Sequence, residues 1–395
     1  MVVRPLSSDL SRKADRKEDS FICIGAGVSQ LPLIKTAKQM GYSVIAIDRN
    51  PDAPGFNHAD YCINMSLDDI EGITNELSLY QEKYIFKGCV ARVTGHSLYT
   101  ASAMTGLFGL NGLSDGLILI STEKTQLKRF CLENQINTPL GMTLESIEIM
   151  EKLLPLFPLI IKPDNTKVGK SDIFLCKNIG DLNTFITTAI KSSSNSMALI
   201  ESYITGIDAT CLCHAKNGTS SIITWWDELV GIDSHNRIVG IGISVPSVID
   251  GTVIQLKAEQ IITRLVREFP AVNALLLISF RISMNGEPFI IEIHSDLGGD
   301  LIADALLPYA NHKFNFFELA IKVSAGSIEK TECIKFEPSI LYYSDKSPDY
   351  YIYQNGSTEK NLSVMQKIID MRGLRLSVEP LHLDWLKLHA DKKRR

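Results

Sequence analysis

Four features of this sequence follow one another in an order suited to phosphate chemistry. Lys124 stands in the first turn of a helix that follows a loop, and Lys162 ends the apolar run PLIIK. A stretch containing glycine and lysine comes next at 164–171 (DNTKVGKS), with Gly169 and Ser171 near its end. The segment LIESYITGID then places Glu201 and Asp208 seven residues apart, with Tyr203 and Ile204 between them. A lysine ammonium is a compact point charge that can neutralise polyphosphate. Taken singly, each residue reads more simply as a surface lysine or a solvated strand end.

A second group lies near the end of the hairpin 273–294. Glu292, His294 and Asp296 alternate along a strand, so their side chains can face one way, and hard cations such as Mg2+ take carboxylate oxygens. Asp227 and Glu228, after Trp225-Trp226, are further candidates for a phosphate or metal role, with a solvated strand end as the alternative. Arg92 precedes Thr94-Gly95-His96 at the end of a front strand, where open α/β sheets keep their ligand crevice. Gly298-Gly299-Asp300 opens a helix whose N–H groups could meet an anion. Gly25-Ala26-Gly27 with Asp48 suggests a dinucleotide turn, but Gln30 occupies the place of the third glycine, so the nicotinamide reading is weak. In Cys211-Leu212-Cys213-His214 a strand would put both sulfurs on one face and the imidazole on the other. Buried reduced thiols are the better reading there, and they suit a cytoplasmic location.

Periodicity supplies the elements that must position these residues. Residues 20–25, 43–48, 60–65 and 85–93 read as strands, with helices at 33–40, 67–79 and 96–108 between them, the pattern of βαβ units on a parallel sheet. A helix at 122–134, capped by Ser121 or Thr122, closes this part. Strands at 159–163, 172–177, 197–203, 209–215 and 220–226, with few helices between them, suit an antiparallel sheet. A helix at 251–269 and a hairpin of 273–283 with 288–294 complete it. The expected division is a disordered extension at 1–19, an α/β domain at 20–115, a sheet-rich domain at 116–326 and an appendage at 327–395 with a helix near 363–371.

With 395 residues, 45% hydrophobic and 22% charged, the chain can bury a sizeable core, which excludes a mainly disordered protein. A net charge of −5 gives no general pull toward nucleic acid or an anionic membrane, and no apolar run approaches transmembrane length. The basic tail 392–395 reads as a solvated terminus.

The ordered set from Lys124 to Asp208 resembles the ATP-grasp superfamily over residues 20–326, and the front segment resembles the pre-ATP-grasp domain of its carboxylate–amine ligase branch. The resemblance implies a Rossmann-like α/β domain followed by a two-subdomain ATP-grasp fold of α+β type. It implies ATP and Mg2+ as cofactors. Lys124 and Lys162 would meet the phosphates, and 164–171 would be the mobile loop that closes over them. Glu201 would accept the adenine amino group beside the Tyr203–Ile204 backbone, and Asp208 would bind the ribose. Glu292, His294 and Asp296 fall in the metal segment, where the family has an acid on the first strand and E-x-N on the second. Ser279 stands at the first-strand position, His294 at the asparagine and Asp296 at a following arginine, so either the metal site is rebuilt or catalysis is weakened. Lys162 and Arg92 are the expected catalytic and substrate-side residues. The implied activity activates a carboxylate as an acyl phosphate and joins it to an amine. The partners would be those two small molecules, with neither nucleic acid nor membrane, and a homodimer is admitted. The alternatives are a nucleotide-binding module without turnover and a nicotinamide-dependent oxidoreductase.

Overall fold

The computed structural model of the chain describes residues 17–92, 95, 97–144, 157–165, 172–298, 301–344, 350–354, 356–358, 360 and 375–376. The strands are β1 Glu18–Ile24, β2 Ser43–Asp48, β3 Tyr61–Asn64, β4 Tyr84–Ala91, β5 Gly141–Leu144, β6 Leu159–Pro163, β7 Phe174–Cys176, β8 Ala198–Ser202, β9 Gly206–Lys216, β10 Thr219–Ile232, β11 Ile238–Val245, β12 Asn273–Ser283, β13 Pro288–His294, β14 Ser339–Tyr343, β15 Tyr350–Gln354 and β16 Arg375–Leu376. β1 begins earlier than expected, inside the stretch read as an extension.

β1 to β4 form a parallel sheet in the order β3-β2-β1-β4. Phe21–Ile24 of β1 and Val44–Ile47 of β2 are continuous buried apolar runs because helices cover both faces of such a sheet. β5 to β8 form a small antiparallel sheet, β5-β8-β6-β7. The third sheet is larger and runs β13-β12-β9-β10-β11-β14-β15, with β16 beside β10. Its core face packs Cys211, Cys213, Ile278 and Phe280 against the helix Val253–Arg267. The other face carries Leu212, Leu275 and Leu277 against the first domain and the helix Phe316–Ser324.

Three expectations need correction. A helix, Asp115–Thr122, precedes Lys124 where a loop is expected, and Ser121 and Thr122 lie in its last turn, so neither caps the helix Lys124–Glu133. That helix is capped from outside: Asp164, just past β6, accepts the Thr125 N–H at 2.6 Å through its carboxylate, and its carbonyl takes the Lys124 N–H at 3.2 Å. The helix Ile179–Ser192 interrupts the strands of the small sheet; Asn178 caps it and Leu182, Ile186 and Ala189 are its buried stripe. β14 and β15 extend the large sheet from the edge of β11. The helix expected near 363–371 lies outside the described residues.

β9 and β12 approach so closely at Gly206 that a Cβ there would sit 1.8 Å from the Ile282 carbonyl oxygen. Gly206→Ala is therefore expected to destabilise the protein by more than about 3 kcal/mol, the range of severe overpacking. A urea unfolding midpoint close to wild type would contradict this.

Candidate functional site

The small sheet and the large sheet face each other across a cleft of about 760 Å3, counting the solvent at its mouth. Two backbone bonds join the sheets beside it, Ile238 N to Ile173 O at 2.7 Å and Leu175 N to Asn236 O at 2.8 Å. Ile160, Ile173, Ile204, Val230, Ile238 and Ile291 give it an apolar lining. Lys124, Lys162, Glu201, Tyr203, Ile204, Asp208 and Glu292 all reach this one cleft. The structure thus brings together residues spread over 169 positions of sequence, from 124 to 292 inclusive. Gly169 and Ser171 lie outside the described residues, as does the rest of 166–171.

At the inner end Glu201 is buried between two lysines. Lys162 Nζ is 2.5 Å from one of its oxygens and Lys128 Nζ 2.6 Å from the other. Lys128 also donates to Thr138 Oγ1 at 2.8 Å and to the Pro139 carbonyl. Burial pushes the Glu201 carboxyl up, but Lys162 and then Lys128 outweigh it and hold the group below the ordinary carboxylate range. Tyr203 N–H donates to Pro158 O at 3.0 Å, which ties the start of the 203–205 link to the entry of β6.

Asp208 is engaged as well. Arg281 Nε lies 2.8 Å from its Oδ1, both side chains are buried, and the guanidinium sits over the Tyr203 ring with 5.8 Å to the centroid. Arg281 Nη1 reaches Gly206 O at 3.3 Å. Asp208 therefore stands beside a fixed cation.

At the outer end Lys124 Nζ is 3.2 Å from Glu292, whose other oxygen is 3.3 Å from His294 Nε2. Burial pushes Glu292 up, yet Lys124 and His294 hold it well below its ordinary range. Burial would lower the His294 imidazole, but Glu292, Asp296 and Glu228 raise it to about 9. Ser279 is the register partner of Glu292 on β12, and its hydroxyl meets Thr210 Oγ1 at 2.8 Å. Thr210 in turn donates to Glu228 at 2.5 Å.

These donors do not fit the expected metal set. Among the described residues no three His, Cys, Asp or Glu side chains converge to hold a metal ion. The Glu292 carboxylate engages His294 and, with Asp296 and Glu228, favours its protonated form. Asp296 accepts the Gly298 N–H at 3.2 Å, and Ser279 supplies a hydroxyl where a carboxylate would be needed.

The remaining candidates have structural partners. Arg92 is buried and bonds Asp304, the Ser29 carbonyl at 2.7 Å and the Gly298 carbonyl at 3.3 Å, with its guanidinium over the Phe317 ring. It thereby pins the first domain to the turn after β13, away from the lysine cleft. Asp227 is fully buried and accepts Ser247 Oγ and, at 2.9 Å, Val248 N, so it holds the β11–helix connection. Glu228 does line the cleft. Asp48 accepts the Ala26 N–H at 2.8 Å and the Asn50 N–H at 2.9 Å, which organises the glycine turn from within, and Gln30 donates to the Arg92 carbonyl. Six of the eight cysteines are buried, Cys211 and Cys213 among them, while His214 bonds Asn273 at 2.8 Å. Gly299, Asp300, Thr94 and His96 lie outside the described residues.

Sequence reasoning missed Lys128 and Arg281. Lys128 was detectable, being four residues after Lys124 and so on the same helix face. Arg281 shares its strand face with Ser279, but only the β9–β12 register shows that it opposes Asp208.

No protein-family model matches this sequence, and no curated protein matches it either. Solved structures do. An L-amino acid ligase from Bacillus licheniformis superposes with a TM-score of 0.67 at 14% identity, covering 92% of this chain and 100% of that one. The N5-carboxyaminoimidazole synthetase from Staphylococcus aureus, complexed with ADP, gives 0.65 at 14%, covering 91% and 88%. A phosphoribosylglycinamide synthetase from Anaerococcus prevotii gives 0.64 at 14%, covering 91% and 100%. At such identities the likeness is one of fold.

Proposed function

We propose, starting from the ATP-grasp fold that this chain has, that the cleft binds ATP and that the protein is an ATP-dependent ligase. The observation that carries this reading is the convergence of Lys124, Lys162 and the buried Glu201 on one apolar cleft between two sheets. Ile160, Ile173, Val230 and Ile238 would sandwich the adenine ring. Glu201 and the Tyr203–Ile204 backbone would take its edge, and Asp208 the ribose. Lys162 and Lys124 would then face the phosphates, with 164–171 as the closing loop, and exclusion of water there would protect a reactive intermediate.

The reaction follows from that placement. The terminal phosphoryl group passes to a substrate carboxylate, an amine attacks the acyl phosphate, and ADP and phosphate leave. Such transfer depends on positioning and charge rather than on a protein nucleophile. Lys124 and Lys162 would carry the charge that meets the phosphates. The substrates would be small molecules, with Arg92 holding the substrate-side turn in place and a homodimer as the assembly. Among the described residues no helix is long and apolar enough to cross a membrane, and the buried thiols suit a cytoplasmic location.

The metal-site observation favours a second reading, a nucleotide-binding module with weakened turnover. Release of ADP with paired carboxylates and amines separates the two. A ligase forms ADP only when both members of a pair are present. ATP binding without ADP release under any pair would favour the module.

A further inference from the structure

Arg281 lines the lysine cleft, yet the nucleotide reading gives it no role of its own. It opposes Asp208 in the antiparallel register of β12 and β9, so the pairing of the strands itself sets the two charges side by side. Arg281 Nε lies 2.8 Å from Asp208 Oδ1, Nη1 donates to the Gly206 carbonyl at 3.3 Å, and the guanidinium rests over the Tyr203 ring. These contacts fix the plane of the group. Both side chains keep 9% of their surface open and both line the cleft, so a ligand there can touch them.

The chemistry of the pair narrows what it can hold. A carboxylate only accepts hydrogen bonds and a guanidinium only donates them, and the guanidinium offers more N–H groups than Asp208 and Gly206 take. The pair is neutral as a whole. A hydroxyl, which donates and accepts at once, satisfies both members without adding charge.

We propose that Arg281 is a second ribose contact in the cleft and determines its preference for nucleotides with intact ribose hydroxyls. A hydroxyl there donates to Asp208 and accepts from Arg281. This rests on the nucleotide reading above, in which Asp208 meets the ribose. A nucleotide without those hydroxyls desolvates both charged groups and returns a hydrogen bond to neither, which is how a polar site rejects an analogue that lacks one group.

Isothermal titration of ATP and of 2′,3′-dideoxy-ATP into the full-length protein, wild type and Arg281→Met, closes a cycle. Wild type is expected to bind ATP at least a hundredfold tighter than the dideoxy nucleotide. Arg281→Met should weaken ATP at least tenfold and leave the dideoxy nucleotide nearly unchanged, so that the preference shrinks at least tenfold. The same change in an Asp208→Ala background separates direct contact from an effect through Asp208, and it avoids a buried unpaired carboxylate should Arg281→Met alone fail to fold. There the preference should fall again, at least fivefold. A preference that Arg281→Met leaves unchanged in either background, or an equal loss for both nucleotides, would overturn this inference alone. No binding of ATP by wild type would overturn the nucleotide reading, and the inference with it.

Discussion

Lys162→Ala should weaken ATP binding by about one to two orders of magnitude while leaving the fold intact. A charge-assisted contact to a phosphate contributes about 1.5–3 kcal/mol, and each 1.4 kcal/mol is tenfold in affinity. The fold survives because Glu201 keeps Lys128 at 2.6 Å, so no buried carboxylate is left without a cation. Isothermal titration of ATP into wild type and variant measures the difference. Unchanged affinity in a folded variant would remove Lys162 from the nucleotide site.

Glu201→Gln should act mainly on stability. It leaves Lys128 and Lys162, 4% and 6% exposed, as neighbouring buried cations without their anion. Removing one partner of a buried pair costs about 3–5 kcal/mol. The pH dependence follows from the carboxyl being held below its ordinary range in the folded protein. Its stabilising effect is fully present above the unfolded-state pKa, near 4.3, and fades as pH falls through the lower folded value. Wild type should therefore lose this contribution on acidification, and Glu201→Gln should show a flatter stability profile over the same range. Urea unfolding at neutral and acid pH reads both effects. A variant as stable as wild type at neutral pH would mean that the triad stabilises nothing.

Much of this architecture was legible in the sequence. β2, β6, β12 and β13 carry strong apolar runs bounded by turn residues, and the structure returns the expected bounds for all four. The helix Asp115–Thr122 was not legible, because its LILI run buries nearly a whole turn and shows little helical period. The helix Ile179–Ser192 did carry a period and an Asn178 cap, but it lies among strands that read as an antiparallel sheet with few helices between them. The ordered lysines and acids suggested one nucleotide cleft through their resemblance to the ATP-grasp superfamily. Partners were beyond reach. That Glu201 takes two lysines, that Asp208 takes Arg281, and that Arg92 is held by Asp304 are facts of register and crossing. Alternation along β13 does put Glu292 and His294 on one face, where carboxylate and imidazole lie 3.3 Å apart.

Thermal unfolding of the wild-type protein with ATP, and separately with NADH, tests the central claim most directly. A ligand at a hundred times its dissociation constant adds about 2.7 kcal/mol to the state that binds it, enough to raise a domain's midpoint by a few degrees. The lysine cleft predicts a rise with ATP and none with NADH. No rise with ATP beside a clear rise with NADH would contradict it and move the nucleotide to the turn at Gly25.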